Sequence, residues 1–147
     1  MKAIKKLEAG PLAVKKISPR EEAVLDKGGL RMASVQYDFS VDAGAVGTLT
    51  FGRILPAGAI VTKVVADELT NVTSGGSATL QLKAGSTNLT DAVAIADFAG
   101  LTVPALASSA AAIKLADASE LSMAIATAAV TAGKVRFLVE YMLPNDL

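Results

Sequence analysis

From Leu30 onward, apolar and polar residues alternate with a period of two. Ala33, Val35, Tyr37, Phe39 and Val41 fall on one side of an extended chain, and Ser34, Gln36, Asp38, Ser40 and Asp42 fall on the other. This alternation predicts a strand with one buried face. Ala43-Gly44 ends it, Val46 to Phe51 predicts a second strand, and Ala59 to Asp67 a third. Between the last two, Pro56-Ala57-Gly58 has the chemistry of a tight turn. Proline presets its own φ, and glycine accepts a positive φ two positions on. Thr70 to Ser77, built around Ser74-Gly75-Gly76-Ser77, is a loop by composition. Ala78, Leu80 and Leu82 then alternate with Thr79, Gln81 and Lys83 until Gly85. Near the C-terminus, Leu121, Met123, Ile125 and Thr127 alternate against Glu120, Ser122 and Ala124. After a turn predicted at Thr131 to Lys134, Val135, Phe137, Val139 and Tyr141 alternate with Arg136, Leu138, Glu140 and Met142 until Pro144.

Two alanine-rich segments, Asp91 to Ala99 and Ser109 to Ala116, carry the best helix former and would be helical on propensity alone. Strand-like segments surround them at sandwich spacing, so the expectation is short strands with at most one helical turn. About eight strands joined by turns, without a helix long enough for a parallel crossover, predict an all-β fold. Its form is an antiparallel β-sandwich or jelly roll. Helical bundles and doubly wound folds do not fit the pattern. On the last strand, Leu138 and Met142 fall on the outward side, where a solvated face is normally polar. They are candidate subunit contacts; the alternative is a face covered by the protein's own loops.

Residues 1–29 break the pattern and are read as an extended arm, leaving 30–147 as the sandwich domain. Residues 1–28 hold seven basic and four acidic side chains, a net +3, so the rest of the formally neutral chain carries −3. Gly10-Pro11 and Ser18-Pro19 prevent one long helix. A short helix fits after Ser18, with that serine as N-cap, Pro19 at the first helical position and Glu21 three residues on. Ile4, Leu7, Leu12 and Ile17 are interspersed among Lys5, Lys6, Lys15, Lys16 and Arg20. A purely solubilising tail rarely carries that many aliphatics, so these nine residues are candidates for contact with a partner surface, the alternative being a solvated tail.

Little in the chain suggests catalysis. Its 147 residues contain neither cysteine nor histidine, which removes thiol nucleophiles, disulfides, the usual zinc ligands and the commonest general base. Neither Asp67-Glu68 nor Asp117 with Glu120 matches a calcium-loop spacing, and Ser74 to Ser77 lacks the Lys-Ser/Thr of a phosphate loop. The serines at 108 and 109 have no histidine to activate them. Catalytic, cofactor and metal sites are therefore all expected to be absent. Equal numbers of basic and acidic residues, 14 of each, argue against a dedicated nucleic-acid binder. No run approaches the ~18 apolar residues of a membrane span, and the N-terminus makes a poor secretory signal. Expected partners thus include neither nucleic acid nor membrane. An apolar share of 52% with only 4% aromatics suits thin strands packed closely, or surfaces that bury against copies of the same chain.

Tyr37 to Gly52, continuing through Leu55 to Thr62, resembles small structural proteins encoded in tailed-bacteriophage genomes. The likeness resumes at Thr73 to Leu80 and at Leu121 to Met142, where Thr131-Ala132-Gly133-Lys134 precedes Val139-Glu140-Tyr141. Turn glycines and strand alternation carry it over most of 35–142, so it marks a scaffold more than a biochemical role. The resemblance implies a virion component, a head decoration or cement protein of jelly-roll type. Such a protein would sit on the outer surface of the capsid, bridge major capsid protein subunits, and act as a homo-oligomer, a trimer in the first instance. The competing expectation is a head-fibre or tail-associated module that binds a host-surface glycan. The arm lies outside the likeness, and its role is not carried over.

Overall fold

The computed structural model describes residues 29–143. The nine candidate arm residues from Ile4 to Arg20, and the helix expected after Ser18, lie outside these described residues. Six long strands dominate: β1 (Arg31–Asp38), β2 (Gly47–Leu55), β3 (Ile60–Ser74), β4 (Thr79–Ala84), β9 (Ser119–Ala126) and β10 (Val130–Met142). Four two-residue strands lie between them: β5 (Thr87–Asn88), β6 (Val93–Ala94), β7 (Leu101–Thr102) and β8 (Ile113–Lys114). Every pairing is antiparallel. One sheet has the order β1-β10-β3-β7, with β8 also on β3; the other has β2-β9-β4-β5, with β6 also on β4. The expected all-β antiparallel sandwich is what forms.

Alternation makes the core. The β1 sheet turns Val35, Tyr37, Val61, Val64, Val135, Phe137 and Val139 inward, and the β2 sheet answers with Leu80, Leu82, Leu121, Met123 and Ile125. Phe137 meets Phe98 edge-on, with ring centroids 6.5 Å apart and planes at 83°. Both alanine-rich segments behave as expected: the first contributes a two-residue strand and a single 3-10 turn at Ile95–Asp97, and the second a two-residue strand, with the 3-10 turn Ala107–Ser109 ending at its first residue.

Except for β4 and β9, successive long strands change sheets, so most connections between them are corners of the sandwich and not hairpins. Pro56-Ala57-Gly58 is the clearest case. Ala59 N donates to Pro56 O at 3.2 Å and Gly58 takes φ 83°, the positive value anticipated from sequence, yet β2 and β3 on either side of the turn belong to different sheets.

Three local expectations give way. The first strand stops at Asp38, because that side chain accepts from Ser40 N and caps a four-residue helix, α1 (Phe39–Asp42), leaving Val41 exposed. Thr70 to Ser74 belong to β3, and Thr131 to Lys134 lie inside β10. Composition suggests breaks at both places, but the two strands pair along their length by absorbing register shifts between Val130 and Val135. On the β3 side Glu68 Oε2 accepts from Val72 N at 2.9 Å, and on the β10 side Gly133 takes φ 126°.

Tyr37 ties β1 to the corner after α1. Its ring is fully buried and its hydroxyl donates to Ala43 O at 2.7 Å. Burial, followed by the charges of Asp42 and Asp38, raises its pKa from 10.0 to about 12. A raised phenol pKa means the folded state prefers the neutral form. Its contribution is therefore intact below pH 10 and is lost as the pH climbs from 10 towards 12. Tyrosinate absorbance in a Tyr141→Phe background is expected to rise near pH 12, with urea stability falling over the same interval. An ionisation centred on pH 10 in the folded protein would contradict the buried hydrogen bond.

Candidate interaction surface

The outward-facing residues of the two sheets differ in kind. On the β2 sheet most are small or polar, with Thr48 and Thr50 on β2, Ser122 and Ala124 on β9, and Gln81 and Lys83 on β4 in register with one another, although Ile54 on β2, opposite Glu120, is 62% exposed. On the β1 sheet an apolar row crosses the strands. Leu138 at the centre of β10 pairs with Val65 on β3 and with Ser34 on β1. Beyond Val65 comes Val103, one residue past β7 and 56% exposed, because the β3–β7 register of Ala66 with Thr102 continues towards it. Leu101, paired with Asp67 and 70% exposed, borders the row. Met32, 52% exposed, and the Met142–Ile60 pair lie further along the strands.

Both residues singled out on the last strand, Leu138 and Met142, therefore stand on this outer face. The structure adds Val65, Leu101 and Val103, which alternation along the chain does not mark. Val65 sits inside the run Val64-Val65-Ala66, where alternation is masked, and the two-residue β7 offers no period to read. At the edge of the face Leu101 and Val103 are open, while Leu138, Val65 and Met142 are half-buried.

Charges on this face are satisfied sideways. Arg136 and Asp67, opposite each other in register, approach to 4.0 Å; Lys134 Nζ lies 3.6 Å from Asp38 Oδ2; Thr62 Oγ1 donates to Glu140 Oε1 at 2.9 Å. Asp38 is further held by Ser40, whose hydroxyl and amide both donate to its Oδ1, at 2.7 and 3.0 Å. These bonds, more than Lys134, keep its carboxyl below the usual range. Lateral pairing of this kind lowers the desolvation cost of covering such a face, because a paired charge keeps its partner when water leaves.

Three of the four acidic residues noted as pairs in the sequence have structural employment. Asp67 pairs with Arg136, Glu68 accepts from Val72 N, and Glu120 Oε2 accepts from Gly52 N at 2.9 Å across the irregularity in β2. No three acidic side chains converge on one point among the described residues. The hollows beside α1 are shallow; one, lined by Asp38, Phe39, Ser40, Thr70, Ala132, Gly133 and Lys134, has a volume of about 310 Å³.

No protein-family model matches the chain, and no curated protein matches it. Its fold does have counterparts among solved structures. A chain in the acidic stable capsid of the Helicobacter pylori bacteriophage KHP30 is similar with a TM-score of 0.56 at 16% identity, over 78% of this chain and 88% of that one. A chain of the cyanophage Pam1 capsid asymmetric unit is similar with a TM-score of 0.57 at 19% identity, over 90% and 93% respectively. At these identities the likeness establishes the fold.

Proposed function

We propose that this protein is a non-enzymatic capsid component of a tailed phage that decorates the outside of the assembled head and cements it by bridging subunits of the major capsid protein. One observation carries the reading: the same sandwich, matched over 88% and 93% of the neighbours' own lengths, occurs in two phage capsids. Those neighbours are themselves small chains of about this size, as a decoration component would be, and the outer face of the β1 sheet supplies an apolar surface for subunit contact.

The mechanism is multivalent. One copy needs only a modest interface of roughly 1,000 Å², because copies held together raise one another's effective concentration on a repeating lattice. Residues 1–29 serve as the arm. Their net +3 charge and their aliphatic side chains suit an acidic, partly apolar groove on a neighbouring capsid subunit. A ligand that binds only the assembled shell stabilises it by mass action. The resemblance implies three copies per unit, whereas a self-complementary face joins copies in pairs; the mass of the free protein decides between these.

Heads carrying the protein are expected to rupture at a higher temperature than heads stripped of it, and re-addition of the protein should restore the difference. Removing residues 1–28 should lower occupancy on the head. Equal rupture temperatures with and without bound protein would count against cementing, and a handful of copies per particle in place of hundreds would favour the fibre or tail reading.

A further inference from the structure

We infer that the outer face of the β1 sheet is a two-fold contact between two copies of this chain, with the axis running along the row of Leu138 and Val65. The order of charge along the two central strands carries this. Outward residues of β10 run Glu140, Leu138, Arg136; opposite them, those of β3 run Lys63, Val65, Asp67. The alternate residues Val64, Ala66, Phe137 and Val139 are buried, which puts all six on the open side. An apolar row is thus flanked on one side by Glu140 beside Lys63, and on the other by Arg136 beside Asp67.

A half-turn about the row lays a second copy face to face on the first. Leu138 then meets Leu138 and Val65 meets Val65, while the flanks exchange. Glu140 faces Arg136 of the second copy, and Lys63 faces Asp67 of the second copy. Since lateral neighbours are also of opposite sign, each flank becomes a group of four charges in which every near neighbour is attractive. Isologous interfaces require this kind of self-complementarity, with one patch matching itself. An unrelated partner would place no such demand on the order of the charges.

Other arrangements fit less well. A two-fold axis parallel to the strands would also oppose unlike charges, setting Glu140 over Lys63, but it would lay Val103 over Ser34 and Leu101 over Gln36. The axis along the row lays Met32 over Gln36 in turn, but it keeps Val103 on Val103 and so extends the central apolar contact. With strands about 4.8 Å apart and about 3.3 Å per residue, the face is roughly 20 Å on a side, at the small end for a specific interface, so the pair is reversible and not obligate.

The test uses full-length free protein, so it reads pairing independently of any effect on capsids. Sedimentation equilibrium is expected to give a concentration-dependent mass rising towards twice the 14.9 kDa of one chain. Glu140→Arg sets guanidinium against guanidinium across the axis, and Arg136→Glu sets carboxylate against carboxylate, so each variant alone should associate at least about tenfold more weakly. Mixed in equal amounts, they form a hetero-pair in which both flanks are again complementary, and association should return to within about threefold of wild type. Lys63→Asp with Asp67→Lys repeats the test on β3, and an unchanged urea midpoint establishes that the variants are folded. A wild-type chain that stays monomeric at about 100 μM, where pairs this weak should already form, would overturn the inference. So would a three-copy mass indifferent to these substitutions, or variants that fail to recover when mixed, the last being the outcome for an axis parallel to the strands.

Discussion

Phe137→Ala is expected to cost about 3–5 kcal/mol, against a total of about 5–15 kcal/mol for a domain of this kind. Phe137 is 2% exposed at the centre of β10, the strand that pairs with both β1 and β3, and it carries the edge-on contact with Phe98. Removing the ring leaves a cavity that no neighbour can close, because both flanking strands are pinned by backbone pairing. The adjacent residue gives the control. Leu138→Ala removes a side chain of the open face and should shift free-chain stability by about 1 kcal/mol or less. Urea denaturation of the two variants decides the matter. If Leu138→Ala proved the more damaging, the assignment of inner and outer faces to β10 would be reversed, and the contact surface with it.

The division into inner and outer faces is legible in the alternation itself. A period of two over Ala33 to Tyr37, Ala78 to Leu82, Leu121 to Ile125 and Val135 to Tyr141 marks strands with one buried side, and those residues do line the core, with Tyr141 at its partly buried end. Which strands share a sheet is not legible there. Alternation is a local signal, whereas β1 pairs with β10 about a hundred residues away, and β2 and β3, adjacent in sequence, end up in different layers. Turn chemistry misleads for a related reason. Gly133 carries the composition of a chain reversal, but long antiparallel pairing between β3 and β10 takes up the extra residues as bulges and runs on past it, whereas the Ser74-Gly75-Gly76-Ser77 run does end β3 and leads to β4.

The contact surface is half visible along the chain. Leu138 and Met142 stand out because apolar residues interrupt an otherwise polar side of a clean alternation. Val65 gives no such signal, since its neighbours are apolar too, and β7 is too short to show a period. The charge order on which the two-fold contact rests is a cross-strand property. Glu140, Arg136, Lys63 and Asp67 acquire it only once the β3–β10 register is known. Nothing in the spacing of 63, 67, 136 and 140 along the chain announces it.

Glycines raise the same question of rank, and the second large effect separates them. Gly44→Ala is expected to cost roughly 3 kcal/mol or more, because the added methyl has to displace backbone. A Cβ at Gly44 would lie 2.1 Å from Val130 O and 2.8 Å from Val130 C, with Phe39 Cδ1 at 3.0 Å on a third side. Gly44 O also accepts from Val130 N at 2.8 Å, so the two segments are bound to each other where they would have to part. Opening that corner moves the start of β10, and with it the register on which both β1 and β3 depend. Gly47, three residues on, has φ 144° and nothing within 4 Å of the same added atom. Gly47→Ala costs only backbone strain, roughly 1–2 kcal/mol. Thermal melts of the two variants should therefore differ widely although the substitution is identical. Equal losses would mean that the close approach between Gly44 and the first residue of β10 does not hold in solution.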